Sequence, residues 1–300
     1  MNVMSYFWSN KLGIILTDTR VVICHNGSLI CNTRCCVTRL RQTGELISPG
    51  AVVCIGLAPN GNVSCPVRLG VVCDVEGASF MLNGYIKETC HWYHRVNLRT
   101  NFAMRGSLTI SEIRALKCCY KNKDNHVFYM QEIIAEILDM DEAIIIYVAD
   151  DFIEIALMRD YKINRHFAKE RALEELRNSI NDFILKNEVI IGEVTIRSII
   201  GSFFGGDKMV VYGPHTTSGM PQELSIDIEN ILSVASVWLE KVHGYIDDFI
   251  KGCDSEINIY LMSDYDNVNY LTHKLSIRCK KRIKPINNAL EKIANNLSLR

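Results

Sequence analysis

The sequence predicts an α/β protein of two similar lobes around a cleft. Three observations carry this. An apolar strand hairpin opens each half of the chain, at 12–24 and at 143–158. Helices with apolar residues at a spacing of three and four follow each hairpin. The pattern of hairpin and helices occurs twice along 300 residues, enough chain for two sizeable cores.

The first hairpin is LGIILTDTRVVIC, with polar Thr17, Asp18, Thr19 and Arg20 between two apolar strands. Such a tip can cradle a nucleotide tail when it carries small residues and a carboxylate for a metal ion. Further strands are expected at SLICN, CCVTRL, AVVCIGL and GVVCDV, separated by the turns HNGS and PNGN. A helix is expected from about Gly77 to Arg95 and another over Thr109–Tyr120. Then come strand 126–130 and a short helix over 131–138.

The second half opens with the strand AIIIYVA (143–149), which turns at Asp150-Asp151 into FIEIALMRD (152–160). A helix is expected at about 167–186, with Ala172, Leu173, Leu176, Ile180, Phe183 and Ile184 on one face. The longest helix is expected at Ile228–Ile250, with a stripe from Ile228 through Ile231, Leu232, Ala235, Trp238, Leu239, Val242, Tyr245 and Ile246 to Phe249. Asp227 is placed to cap it, and Glu229 suits the positive end of its dipole. A strand at 258–262, the turn SDYDN, a helix near 266–275 and a last helix from Pro285 to Leu297 complete the pattern.

Composition narrows the function. Lys and Arg number 33 against 34 Asp and Glu, a net charge of -1 that argues against a dedicated nucleic-acid binder. No window approaches the ~18 apolar residues of a membrane span. The start, MNVMSYFWSNKLG, lacks the basic flank and apolar core of a signal peptide, so a cytoplasmic protein is expected. Twelve cysteines alternate with Val and Ile, as small buried residues do, and no pair has zinc-knuckle spacing. A reduced chain fits them better than a disulfide framework. Cys90-His91-Trp92-Tyr93-His94 comes nearest to a metal cluster and reads as an amphipathic helix end. No metal is expected. GGDK (205–208) lacks the spacing of a P-loop. The basic run RCKKRIK (278–284) reads as a solvated loop, with contact to anionic lipid as the alternative.

Several stretches together resemble the bacterial actin-like rod-shape protein MreB. TSGMPQELSIDIENIL (217–232) resembles that family's TGLP-x-x-x-x-I-S-x-x-E-I run into a long helix, and FWSNKLGIIL (7–16) its FSNDLGIDLGTANT opening. PVRLGVVCDVEGASFMLNGYI (66–86), VFYMQEIIAEI (127–137), FIEIALM (152–158) and AKERALEELRNSI (168–180) resemble further family segments in the same order. IGE (191–193) and IGS (200–202) stand where the family has the same triplets. The resemblance implies an actin-like ATPase fold, with nucleotide in the cleft and head-to-tail assembly into membrane-bound filaments. It also implies domain limits: a first lobe 1–145 with a small subdomain inserted at about 33–66, a second lobe 146–284 with one at about 181–246, and a terminal helix 285–300 returning to the first.

The family's chemical positions can then be compared one by one. In the first phosphate loop Ile15 takes the aspartate position, and Thr17, Asp18 and Thr19 occupy the phosphate-contacting segment. An isoleucine offers nothing to Mg²⁺. In the second, Tyr147 replaces the aspartate, and Ala149, Asp150 and Asp151 replace the glycines ahead of Phe152. Backbone amides approach a phosphate closely only where side chains stay away. A carboxylate about 4 Å from a phosphate charge costs roughly 1 kcal/mol in water and about 4 at an effective dielectric of 20. The larger figure is about a thousandfold in affinity. On the adenosine side, Ser263, Asp264 and Tyr265 replace glycines, followed by Asp266 and Asn267, and the helix after IGE is expected to shrink to VTIRSI. The catalytic-region EEP becomes Gln131-Glu132-Ile133. Only Arg171 and Glu174 keep a suitable type, and a surface helix would carry such residues in any case.

The sequence therefore implies an MreB-like cell-shape protein with its fold kept and its ATPase chemistry lost, acting by assembly with itself or an MreB-type paralogue. No cofactor is expected, or Mg·ATP if the pocket still works. Two alternatives remain: an active ATP-driven filament former with an unusual pocket, and another ATPase of the same superfamily. Partners would include the inner face of the cytoplasmic membrane and rod-complex membrane proteins. Phe7 and Trp8 are the candidate membrane anchor, with packing on the first sheet as the alternative.

Overall fold

In a computed structural model, residues 10–50, 61–90, 98–120, 124–253 and 256–300 are described. The chain divides into two units. Residues 1–141, 160–163 and 289–300 form the first, and residues 142–159 and 164–288 the second.

Unit 1 begins with β1 (Lys11–Leu16), β2 (Arg20–His25) and β3 (Ser28–Arg34), an antiparallel meander. The HNGS turn works as its sequence predicts: Asn26 and Gly27 both take positive φ, which suits a two-residue hairpin. Then come β4 (Val37–Leu40), β5 (Leu46–Pro49) and β6 (Gly61–Ser64), a separate three-stranded sheet, and the two-residue strands β7 (Val67–Arg68) and β8 (Val71–Val72). Helix α1 (Val75–Thr89) follows, then β9 (Arg99–Met104), α2 (Ile110–Cys119), β10 (Asn125–Tyr129) and α3 (Met130–Ile137). The main sheet has the order β10-β9-β1-β2-β3, with β9 parallel to both its neighbours.

Unit 2 repeats this plan. Strands β11 (Glu142–Val148) and β12 (Phe152–Arg159) form its hairpin, and β13 (Lys162–Glu170) lies at the sheet edge. Helices α4 (Glu174–Lys186) and α5 (Glu193–Gly205), the hairpin β14 (Met209–Pro214) and β15 (Pro221–Ile226), and helix α6 (Ile228–Ile250) come next. Strand β16 (Ile259–Ser263), helix α7 (Asn269–Cys279) and strand β17 (Ile283–Pro285) complete it. The order β13-β12-β11-β16-β17 matches that of the first sheet: a hairpin and edge strand on one side, two parallel strands on the other. Helix α8 (Ala289–Leu297) belongs to unit 1 and packs on β1 and β2.

Each core follows from periodicity. On α6, Ile231, Ala235, Trp238, Leu239, Val242, Ile246 and Phe249 are buried, and Leu232 and Tyr245 are partly so. On α4, Leu176, Ile180 and Ile184 are buried, with Leu173 just before the helix. Burial of one such side chain contributes roughly 1.5–3 kcal/mol, so these stripes hold the helices on the sheet.

The structure corrects several expectations. Residues 167–170 are not helical. They continue edge strand β13, because pairing at a sheet edge overrides local propensity, and Arg171 at φ 54 ends the strand before α4 starts. Pro285 ends β17 instead of opening the last helix. It sits on an outermost strand, where a missing N–H is tolerated, and α8 starts only at Ala289. The helix after IGE is not shortened: α5 runs for 13 residues with Ile196, Ile199, Ile200, Phe203 and Phe204 buried. Helix α1 begins at Val75, since Asp74 accepts from the Gly77 N–H and caps it there. Asp227 stands before α6, but its side chain makes no cap; it pairs with Lys208 at 2.9 Å. The helix expected near 266–275 runs from Asn269 to Cys279. Strand AVVCIGL lies outside the described residues.

Candidate functional site

In unit 1 the polar side chains of the hairpin tip are engaged within the unit. Ile15 is fully buried, paired with Val22 on one side and Ala103 on the other. A carboxylate placed there would need a counter-ion to offset its desolvation. Beyond it, the Thr17 N–H donates to the Arg20 carbonyl at 2.9 Å and Thr17 Oγ1 accepts from the Arg20 N–H at 3.0 Å. Thr19 Oγ1 lies 3.2 Å from the same hydroxyl. Asp18 is buried, and both its carboxylate oxygens accept from the Gly70 N–H at 3.2 Å. Gly70 takes φ 68 after Leu69 at φ 54, in the turn joining β7 to β8. Thr17 and Thr19 thus brace the turn itself, while Asp18 ties it to the β7–β8 turn.

In unit 2 the tip carries an ion cluster. The Ala149 N–H donates to the Phe152 carbonyl and closes the hairpin at 2.9 Å. Phe152 is a core residue, its ring edge-on to Tyr147. Asp150 is fully buried. Its Oδ2 lies 2.7 Å from the Arg177 guanidinium and 3.0 Å from Arg197 Nε. Arg177, on α4, also pairs with Asp151 at 2.6 Å and donates to the Asp150 carbonyl. Glu193, in the first turn of α5, approaches Arg197 at 3.4 Å and Arg177 at 3.7 Å. Burial works against the Arg177 charge, but the Asp150 and Asp151 carboxylates more than offset it and hold its proton well above the usual arginine range. Three carboxylates thus share two guanidiniums at this tip.

The segment after β16 closes over the same tip. Ser263 Oγ donates to the Val148 carbonyl, and the Tyr147 hydroxyl donates to the buried Asp264 carboxylate. Tyr265 Oη donates to Asp150 Oδ1 at 3.2 Å. Burial, with the Asp150 and Asp264 carboxylates beside it, raises the Tyr265 phenol well above its ordinary range, so it remains a donor. Its ring packs edge-on against Phe204 and over Gly201, where an added Cβ would come within 3.0 Å. Asp266 and Asn267 point outward: the Asp266 carbonyl accepts from Asn288, and Asn267 Oδ1 accepts from the Asn269 N–H at 3.1 Å.

The structure thus brings Asp150, Asp151, Asp264 and Tyr265 together, and leaves Asp266, Asn267, Arg171 and Glu174 exposed. The Arg171 N–H donates to the Asp151 carbonyl, a turn contact made by backbone alone. In unit 1, Glu132 is committed to Lys162 at 2.9 Å and to the Ile163 N–H. Sequence reasoning missed Arg177, Arg197 and Glu193. The signal available was chemical: two adjacent aspartates ending an apolar strand require cations from a neighbouring element. A hollow of about 330 Å³ on unit 2 is lined by Arg165, His166, Phe167, Tyr245, Asp248 and Phe249, none of them expected at a nucleotide tip. Phe7, Trp8 and His91–His94 lie outside the described residues. Among the described residues no disulfide is present, six cysteines are buried, and no helix is long and apolar enough to cross a membrane.

Two units built on the same five-stranded plan, each opening with a hairpin, define an actin-like ATPase fold. The solved structures that share it give that class its particular members. The crystal structure of MreB5 from Spiroplasma citri bound to AMPPNP matches with a TM-score of 0.83 and 16% identity, over 96% of this chain and 94% of that one. MreB5 of the same organism bound to ADP gives 0.82 and 17%, over 97% and 95%. The MamK double helical filament gives 0.75 and 13%, over 97% of each chain. No family model and no curated protein matches the sequence. The fold expected from the MreB resemblance is the fold found.

Proposed function

We propose that this chain is an MreB-like cytoskeletal protein that works by assembling, with itself or with a related chain, and that has lost its nucleotide chemistry. One observation carries the second half: Asp150 occupies Arg177 and Arg197 at the unit 2 tip. A phosphate arriving there must displace a buried carboxylate from two cations, at a cost of several kcal/mol. The obstacle is a buried carboxylate already ion-paired with both guanidiniums, in addition to the charge repulsion expected from sequence. The filament formed by MamK, a protein of the same fold, supports the first half. A role in cell shape, and attachment to the inner membrane face through Phe7 and Trp8, belong to the same reading. A second reading, an ATP-driven filament former with an unusual pocket, draws on the AMPPNP and ADP bound by MreB5.

Calorimetric titration with Mg·ATP separates the two. We expect no saturable binding; a dissociation constant below ~10 μM, near -7 kcal/mol, would favour the second. Sedimentation and electron microscopy without nucleotide then test assembly, alone and with an MreB-type paralogue. A chain that stays monomeric in both would end the assembly reading. For the membrane, liposome co-sedimentation should fall in a Phe7→Ser, Trp8→Ser double variant, because many weak anchors on a filament act by avidity. Equal sedimentation would remove that role.

A further inference from the structure

The geometry points to a divalent transition-metal site of the zinc class formed by His243, Asp247 and Cys279, at the carboxyl ends of α6 and α7. We propose that it binds one ion through these three side chains, with water in the fourth position. The three ligand atoms all lie within 4.8 Å of one another.

Each residue is placed by its helix. His243 and Asp247 are four apart on α6 and share one face. Cys279 is the last residue of α7, which packs against α6. His243 Nε2 and Asp247 Oδ2 stand 3.1 Å apart. Two ligands held tetrahedrally at about 2.0–2.1 Å from zinc are separated by about 3.3 Å. That pair therefore already has nearly the required spacing. The sulfur lies no more than 4.8 Å from the other two atoms, so it needs a shift of at most about 1.3 Å, within reach of a side-chain rotation.

Arg278, Lys280, Lys281 and Arg282 flank Cys279 in sequence and oppose a cation, so the site rests on its three donor side chains and on the helix end. Helix α7 ends at Cys279, and Lys280 leaves it at φ 50, so the negative end of its dipole lies beside the sulfur. The thiol is buried, whereas the His243 and Asp247 side chains are 30% and 48% exposed, which leaves an open side for the ion and its water. Imidazole, carboxylate and thiolate together suit zinc, and calcium or magnesium poorly. On binding, the Sγ–H proton leaves to solvent, the thiolate and imidazole donate their pairs to the metal, and the carboxylate coordinates as the anion. No oxidant is needed. The ion would tie the ends of α6 and α7 together, and the site does not depend on whether nucleotide binds.

The test uses the whole chain, reduced and stripped of metal, titrated with Co²⁺. One equivalent should give a thiolate-to-cobalt charge-transfer band and visible bands of tetrahedral intensity, both bleached by stoichiometric Zn²⁺. Cys279→Ala should lose the charge-transfer band. His243→Gln and Asp247→Asn, at half-exposed positions that leave the core intact, should each weaken Co²⁺ at least about tenfold. An unchanged spectrum in Cys279→Ala would mean that another thiol holds the ion, and would overturn the assignment. So would the absence of saturable binding by the wild type. If Cys279→Ala fails to fold, unaltered affinity in the other two variants decides against the site.

Discussion

The Tyr147 hydroxyl donates its proton to the buried carboxylate of Asp264, tying the end of β11 to the segment after β16. Tyr147 stands where the resemblance expects a carboxylate, and Asp264 where it expects a glycine. The two departures therefore compensate each other, and the pair forms one local polar unit in a buried place.

Tyr147→Phe should destabilise the chain by about 1–3 kcal/mol, the cost of removing a donor from a buried acceptor. Tyr147→Asp, which supplies the residue type that the resemblance expects, should cost more, because it sets a second buried carboxylate beside Asp264. Urea unfolding of both variants checks the order. A Tyr147→Asp protein as stable as the wild type would mean that Asp264 does not need this donor.

The Asp150–Arg177 pair predicts a double-mutant cycle. Arg177→Met should cost about 3–5 kcal/mol, since it leaves Asp150 buried with Arg197 as its remaining guanidinium partner. Asp150→Asn with Arg177→Met should cost less than the sum of the two single changes. Because the carboxylate is fully buried, added salt should hardly alter the coupling. Additive effects within ~0.5 kcal/mol would show that the pair is not coupled.

At the start of α1 the expected signature is acid sensitivity. Partial burial opposes the Asp74 charge, but the Gly77 N–H, the Arg39 hydrogen bond and the Arg39 charge prevail and hold its carboxyl below the usual range. The lowered folded-state pKa means that this stabilisation is present above the unfolded carboxylate pKa, near 3.9, and is lost as pH falls through the folded value. Asp74→Asn keeps a cap acceptor and should remove that part of the acid dependence. Asp74→Ala should cost about 1 kcal/mol at pH 7. Gly77→Ala should also destabilise, despite alanine's helix propensity, because its Cβ would fall 2.4 Å from Asp74 Oδ2. Thermal melts from pH 3 to 7 read all three.

Thiol reactivity should divide the cysteines. Burial pushes the Cys24, Cys119 and Cys279 thiols up to about 12, and Cys31 to about 11. Cys73 and Cys118 are exposed. Partial burial raises the Cys73 thiol too, so brief alkylation at pH 8 followed by peptide mass spectrometry should label Cys118 first and Cys73 more slowly, and spare Cys24 and Cys119. Rapid labelling of Cys24 would mean that the first sheet opens readily.

What could be read from the sequence depended on which interaction decides each residue. The α6 stripe is a long run at one period, so burial alone specifies it. The hairpins at 12–24 and 143–158 were equally plain, since apolar strands flank short polar tips. Strand β13 was misread because Leu173, Leu176 and Ile180 carry a helical pattern that extends backwards without a visible stop; Arg171 ends it by adopting a positive φ. Helix α5 outruns its motif because Ile196, Ile199, Ile200, Phe203 and Phe204 carry the buried pattern beyond VTIRSI. At the site, substitutions at Tyr147 and Asp150 were visible, but their partners Asp264, Arg177 and Arg197 are distant in sequence. Only the folded chain reveals that pairing.

Helix α8 lies so close on β1 that a Cβ at Gly13 would meet the Ala294 carbonyl oxygen at 1.9 Å. The Lys11 ammonium reaches the Leu299 carbonyl, 288 residues away along the chain. On the ribosome this separation becomes a delay. At roughly 5–20 residues per second, β1 emerges on the order of 15 to 60 s before the helix that covers it. For that interval one face of the first sheet is without its partner, and nascent unit 1 depends on chaperones or on its own solubility. Unit 2, whose core is complete by β17, is finished first, although its synthesis starts second.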